Sequence, residues 1–131
     1  MLEKIASNSY YDIAVDVSGN RTHLTIKGFW ETTELVPNFI TDIGAAAEKM
    51  RPGFTVLANL TRMKPPPAVV CAMHEEAQAL LISCGLECTA EIVDDPSLEK
   101  VLNDHACQSK MNKQVFVNTV DAEAWLDSLR R

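Results

Sequence analysis

The sequence predicts an α/β domain: a mixed, largely parallel sheet with an N-terminal antiparallel hairpin and helices packed on it. Three observations carry this. After a hairpin-like start, short apolar runs alternate with stretches of helical periodicity, the order of strand–helix units. The segment Phe54–Leu60 is apolar almost without interruption, as in a strand buried on both faces of a sheet. Helix-stop chemistry, Pro52-Gly53 and later Gly85, falls just ahead of the next apolar run.

Each element can be justified in turn. From Tyr11 to Val17 the residues Ile13, Val15 and Val17 alternate with Asp12, Ala14 and Asp16, which is strand periodicity. Ser18-Gly19-Asn20-Arg21 supplies a turn, and Thr22–Gly28 resumes alternation, so the pair reads as a hairpin. Phe29-Trp30 is expected to cap the core edge. A helix is predicted to open at Glu31-Thr32-Thr33-Glu34, with a capping hydroxyl and early acids. Its apolar stripe is Leu35, Val36, Phe39, Ile40, Ile43, Ala47 and Met50, and Pro37 falls in its first turn.

Phe54–Leu60 follows as the central strand. The next helix starts at or just after Pro65-Pro66-Pro67 and runs to Cys84, with Val69, Val70, Met73, Ala77, Leu80, Leu81 and Cys84 as its expected buried face. Gly85 suits a left-handed C-terminal residue, with Leu86 packing back. Cys88–Val93 is a strand. Asp95 then caps a helix with Pro96 at its first position, reaching about Ser109 through Leu98, Val101, Leu102 and Ala106. Gln114–Asn118 is the last strand, and Thr119 is expected to cap a helix carrying Ala122, Trp125, Leu126 and Leu129. No linker, repeat or low-complexity segment divides residues 1–131, so one domain is expected.

Composition narrows the function classes. Eighteen acidic residues against twelve basic ones give a net charge of −6. That argues against nucleic acid, whose binding calls for a basic stripe, and against an anionic membrane surface. The N-terminus lacks the charged and apolar regions of a signal peptide, and no apolar stretch reaches bilayer-spanning length. A cytoplasmic chain is therefore expected. There Cys71, Cys84, Cys88 and Cys107 should be thiols.

No phosphate loop or dinucleotide fingerprint is present, and no cofactor is implied. Cys71 and His74, three apart near a helix start, are the minimum for a thiol nucleophile and its base. No third orienting group accompanies them, and free cysteine is among the most buried residue types, so packing is the reading adopted. Cys84, Cys88, His105 and Cys107 lack the spacing of a metal site, and none is expected. Glu75-Glu76 diverge on a helix and read as a solvated face. Trp125 falls on an apolar stripe and reads as core, and Trp30 is left between core and ligand pocket.

The junction Asn59-Leu60-Thr61-Arg62-Met63-Lys64-Pro65-Pro66-Pro67 is the candidate functional surface, because parallel sheets work at the carboxyl ends of their strands. Thr61, Arg62, Met63, Lys64, Pro65 and Pro67 are the expected partner-binding residues. The plainer reading is a rigid loop, in which the prolines fix the approach to the helix. The functional reading is a pre-organised, locally basic edge on an acidic protein.

Gly28-Phe29-Trp30, the run Pro52–Thr61, the helix end Cys84-Gly85-Leu86, the strand Ala90-Glu91-Ile92-Val93, and Val115-Phe116 leading to Ala122-Glu123-Ala124-Trp125-Leu126 together resemble the STAS-like family. That is the fold of bacterial anti-sigma-factor antagonists, and the likeness is closest to its divergent stand-alone branch. It spans roughly residues 11 to 130. The resemblance implies a non-catalytic regulatory module that binds a protein partner and leaves a homodimer open. In the antagonists a phosphorylatable serine opens the helix after the central strand. Here that junction is Met63–Ala68, with no hydroxyl after Thr61 and with Asn59 where many relatives carry aspartate. The alternatives are a carrier of a small molecule or lipid held between helices and sheet, and a thiol enzyme using Cys71 and His74.

Overall fold

Chain order and sheet order coincide. The computed structural model describes residues 2–104 and 112–129, the side chains of 101–104 excepted. Its strands are β1 (Glu3–Ser7), β2 (Tyr11–Asp16), β3 (Arg21–Gly28), β4 (Thr55–Met63), β5 (Cys88–Ile92) and β6 (Lys113–Phe116), forming one sheet in the order β1-β2-β3-β4-β5-β6. The first three strands pair antiparallel and the rest parallel. The helices are α1 (Phe39–Glu48), α2 (Ala68–Ser83), α3 (Pro96–Asp104) and α4 (Thr119–Ser128). The α/β architecture with a mixed sheet is as the sequence predicts.

This order fixes where the helices lie. Each parallel crossover is right-handed in nearly all proteins, and here every crossover advances in the same direction, so the crossover helices fall on one face. The larger core accordingly joins β2–β4 to α1, α2 and Leu98 of α3, with Ile13, Val15, Phe39, Ile43 and Val70 almost fully buried. A smaller cluster on the opposite face joins Leu57, Cys88, Ala90 and Ile92 to Ala122 and Leu126 of α4. Strand β4 contributes Val56, Ala58 and Leu60 to the first core and Leu57 to the second, which is what its near-continuous apolar sequence predicts. Arg21, 6% exposed, ties the second face together: its Nε donates to Thr55 Oγ1 (3.2 Å) and a terminal nitrogen to Asp127 (2.8 Å).

Several boundaries differ from expectation for local reasons. The antiparallel part has three strands, not two. Glu3–Ser7 adds an edge strand whose exposed or half-exposed residues carry no alternation to announce it. The helix expected from Glu31 is instead a short 3-10 turn, Thr33–Leu35, capped by Thr32, whose hydroxyl accepts from the Glu34 N–H (3.2 Å). Proline disfavours helical backbone at the residue before it. Val36, preceding Pro37, sits at φ −132° and ψ 59°, and α1 begins only at Phe39.

The buried stripe of α2 is rotated from the predicted one. It comprises Val70, Cys71, Met73, His74, Ala77 and Leu81, while Val69 and Cys84 are exposed. The end of α2 is as expected: Leu86 N–H donates to Leu81 O and Gly85 N–H to Ile82 O, with Gly85 at φ +103°. Asp95 caps α3 by accepting from the Ser97 N–H (2.9 Å), and the continuation toward Ser109 lies outside the described residues. The last strand starts one residue earlier than predicted and stops at Phe116. Asn118, not Thr119, caps α4, its side-chain oxygen accepting from the Asp121 N–H (2.8 Å).

Candidate functional site

The carboxyl ends of β3 and β4 are shaped by a bulge. Strand β4 runs past Leu60 to Met63, and its register with β3 slips: Thr25 lies opposite Asn59, but Lys27 lies opposite Arg62. One extra residue is thereby accommodated on β4. The Asn59 side-chain oxygen accepts from both the Thr61 N–H (3.1 Å) and the Thr61 hydroxyl (2.8 Å), an Asx-type turn that holds the irregularity. A bulge re-aims the side chains that follow it. Thr61 and Arg62 are successive residues, and both are exposed.

Met63 then turns inward and is 6% exposed. It lies in the core, where an apolar side chain at the end of a buried strand is drawn under the helix, while the other expected partner-binding residues are exposed or half-buried. Lys64 is exposed again, and its N–H donates to Gly28 O (3.0 Å), which anchors the exit from the sheet. Pro65 is exposed and Pro66 half-buried. Pro67, half-buried, is the residue preceding α2, and its carbonyl accepts from the N–H groups of Val70 and Cys71. Among the described residues neither the Arg62 nor the Lys64 side chain makes an ion pair or a hydrogen bond.

Apolar surface lies at the same end of the sheet. Phe29, next to the β3 terminus, is 51% exposed, and Val69, in the first turn of α2, is 56% exposed. A groove of about 620 Å³ runs between the 3-10 turn and α2, with Val36, Ile40, Val69 and Met73 in its lining and Glu34 and Glu76 also on its walls. Phe29 and Trp30, expected to act together, are separated: Trp30 is buried, its indole N–H donating to Lys27 O (3.1 Å).

Trp30 belongs to an aromatic nest with Tyr11, Phe39 and His74. Its ring stacks on His74 (centroids 5.1 Å apart, planes 25° apart) and meets Phe39 edge-on at 5.0 Å. Tyr11 donates its hydroxyl to Asp42 (2.6 Å); burial first, and then this bond, push its pKa up to about 12. Burial pulls the His74 pKa down to about 4, because the cation would lose its water without gaining a partner. The imidazole is therefore neutral near pH 7.

The expectation of four thiols is also corrected. Cys71 is disulfide-bonded. Spacing along the sequence does not reveal such a bond, since it depends on which elements the fold brings together. Cys84 is a free exposed thiol and Cys88 a free buried one. A sulfur in a disulfide is no thiolate, so the Cys71–His74 pairing lacks its nucleophile in this state.

Behind the nest, between α2 and the sheet, lies a cavity of about 60 Å³. Its walls are mainly apolar, from β3, β4, α1 and α2, but His74, Gln78, Thr89, Glu91 and Lys113 also line it. Lys113 pairs with the buried Glu91 at 3.0 Å. Among the described residues neither His74 Nε2 nor Gln78 Oε1, both buried, has a hydrogen-bond partner. Sequence reasoning missed this group. The available signals were the i, i+4 placement of His74 and Gln78 beside Val70, Ala77 and Leu81, and a single acid, Glu91, in the middle of a strand. Among the described residues no three His, Cys, Asp or Glu side chains converge as metal ligands would, and no helix is long and apolar enough to cross a membrane.

Compared with known proteins, the chain matches no family model, no curated protein and no solved structure.

Proposed function

We propose that this chain is a non-catalytic, cytoplasmic protein-interaction module of STAS-like type, which docks an acidic segment of a partner protein at the carboxyl end of β4. The observation that supports this most directly is the pair of unpartnered cations, Arg62 and Lys64, held outward by the bulge on a protein of net charge −6. Side chains that neutralise nothing within their own fold keep their full attraction for an external carboxylate. The adjoining prolines limit the freedom lost on binding. Exposed Phe29 and Val69 supply apolar contact area at the same end of the sheet.

The reading does not need phosphorylation of this chain. Thr61, the hydroxyl nearest the junction, is occupied in holding the Asn59 turn. In the cytoplasm the Cys71 bond would be of the reversible kind that this compartment permits.

The test is capture of partners from the host lysate by wild type and by the double variant R62E/K64E. Capture is expected to be lost in the variant with the melting temperature nearly unchanged, since exposed charges contribute within about ±0.5 kcal/mol. Equal recovery by both proteins would remove the proposal.

A further inference from the structure

A different part of the molecule carries a second inference, independent of the docking edge. We propose that the cavity between α2 and the sheet is a binding site for a small neutral molecule, a short apolar body bearing one hydroxyl group, held by His74 and Gln78.

Three features lead there. The cavity is built, not incidental: His74 is 7% exposed and fixed by its stack on Trp30, and its Nε2, like Gln78 Oε1, is buried and, among the described residues, unpartnered beside the void. Leaving two such atoms unsatisfied is costly, and native proteins pair more than nine in ten of their buried polar groups. A hydroxyl both donates and accepts, so with the imidazole proton on Nε2 one ligand group can accept from His74 and donate to Gln78 Oε1.

Charge excludes ionic ligands. Among the described residues the charged members of the wall are Glu91 and Lys113, which neutralise each other at 3.0 Å. An added ion would enter a largely apolar space with no free counter-charge.

Water alone fits less well. A volume of about 60 Å³ has room for several waters at roughly 10–15 Å³ each, and every one needs two to four polar partners. Those partners are confined to the side of His74, Gln78, Thr89, Glu91 and Lys113, and the apolar side chains of β3, β4 and α2 supply none to the rest. An alcohol of three or four heavy atoms meets the polar corner with its hydroxyl and the rest of the cavity with its carbon body.

The experiment uses the full chain, isotope-labelled, with 1-propanol as the probe and xenon as an apolar control that lacks the hydroxyl. NMR titration with 1-propanol is expected to give saturable shifts at the His74 ring nitrogens, the Gln78 side-chain amide and the Leu60 and Leu81 methyls. In H74F and in Q78L the affinity for 1-propanol is expected to fall at least about fivefold, the loss of roughly one hydrogen bond, with xenon shifts at the same methyls retained. Should H74F fail to fold, Q78L decides the matter alone. The proposal is overturned if 1-propanol produces no saturable shift, if the variants lose xenon and 1-propanol equally, or if long-lived water contacts at His74 persist unchanged through the titration.

Discussion

His74 is a base placed where it cannot be charged. Burial holds its pKa at about 4, against about 6.5 for the exposed side chain of an unfolded chain. The sign of the linkage follows. Between these values the unfolded state binds the proton and the folded state does not, so stability is full above about pH 6.5 and falls as pH drops toward 4. The loss across that window is on the order of 3 kcal/mol, at 1.36 kcal/mol per pK unit. Urea denaturation of wild type and H74F from pH 7 to pH 4 is expected to show a shallower acid slope in the variant. Parallel slopes would mean that His74 is hydrated or partnered in solution. This residue also shows what a sequence conceals. Three positions after Cys71 it looked like one half of a dyad, because spacing reports which side chains share a helix face but not whether that face is wet. Once the stripe of α2 is seen to run through Val70, His74, Ala77 and Leu81, the same histidine is a wall of the core.

Among the elements, the end of α2 is the most constrained. Gly85 lies at φ +103°, and a Cβ built there would stand 2.7 Å from Pro52 Cα, a backbone atom that cannot step aside. Gly28 has φ +74° but open space around it. The two glycines therefore separate backbone strain from steric conflict. Gly28→Ala is expected to cost about 1 kcal/mol and Gly85→Ala distinctly more, about 2–4 kcal/mol, by chemical denaturation. Equal penalties would show that the Pro52–Gly85 approach is slack. Elements announced by such punctuation were legible: the Gly85 turn and the Asp95 cap stand where the sequence places them, while α1 already ends at Glu48, ahead of the expected stop at Pro52-Gly53. Elements lacking it were misread. Glu3–Ser7 becomes a strand through pairing with β2, a partner its own residues do not specify, and Pro37 divides what periodicity presented as one helix. The junction after β4 was read as a surface from its prolines and cations. Its bulge was not, since register belongs to two strands at once, and the inward turn of Met63 goes with it.

Across the whole molecule, the sheet separates two cores of unequal size, and β4 belongs to both. Leu57, 5% exposed, faces the smaller one, where α4 is the covering helix. Leu57→Ala is expected to lower stability by about 2–5 kcal/mol, the usual range for a large-to-small change in a packed interior. Amide exchange should quicken first in α4, which packs on β4, β5 and β6. An unchanged denaturation midpoint would remove Leu57 from the interior.

The coincidence of chain order and sheet order has a consequence for how the protein is made. Every strand finds its hydrogen-bonding neighbour immediately before or after itself, and none must be inserted between two that are already joined. The sheet can therefore grow from one side as the polypeptide leaves the ribosome, each strand–helix unit adding to an edge formed moments earlier. Loop closures stay as short as parallel crossovers allow, which favours rapid folding for a sheet of this kind. The growing edge is the vulnerable feature of that scheme, since an unpaired strand invites pairing with other chains. It passes from β3 to β4 to β5 during synthesis and comes to rest on β6, a strand of four residues.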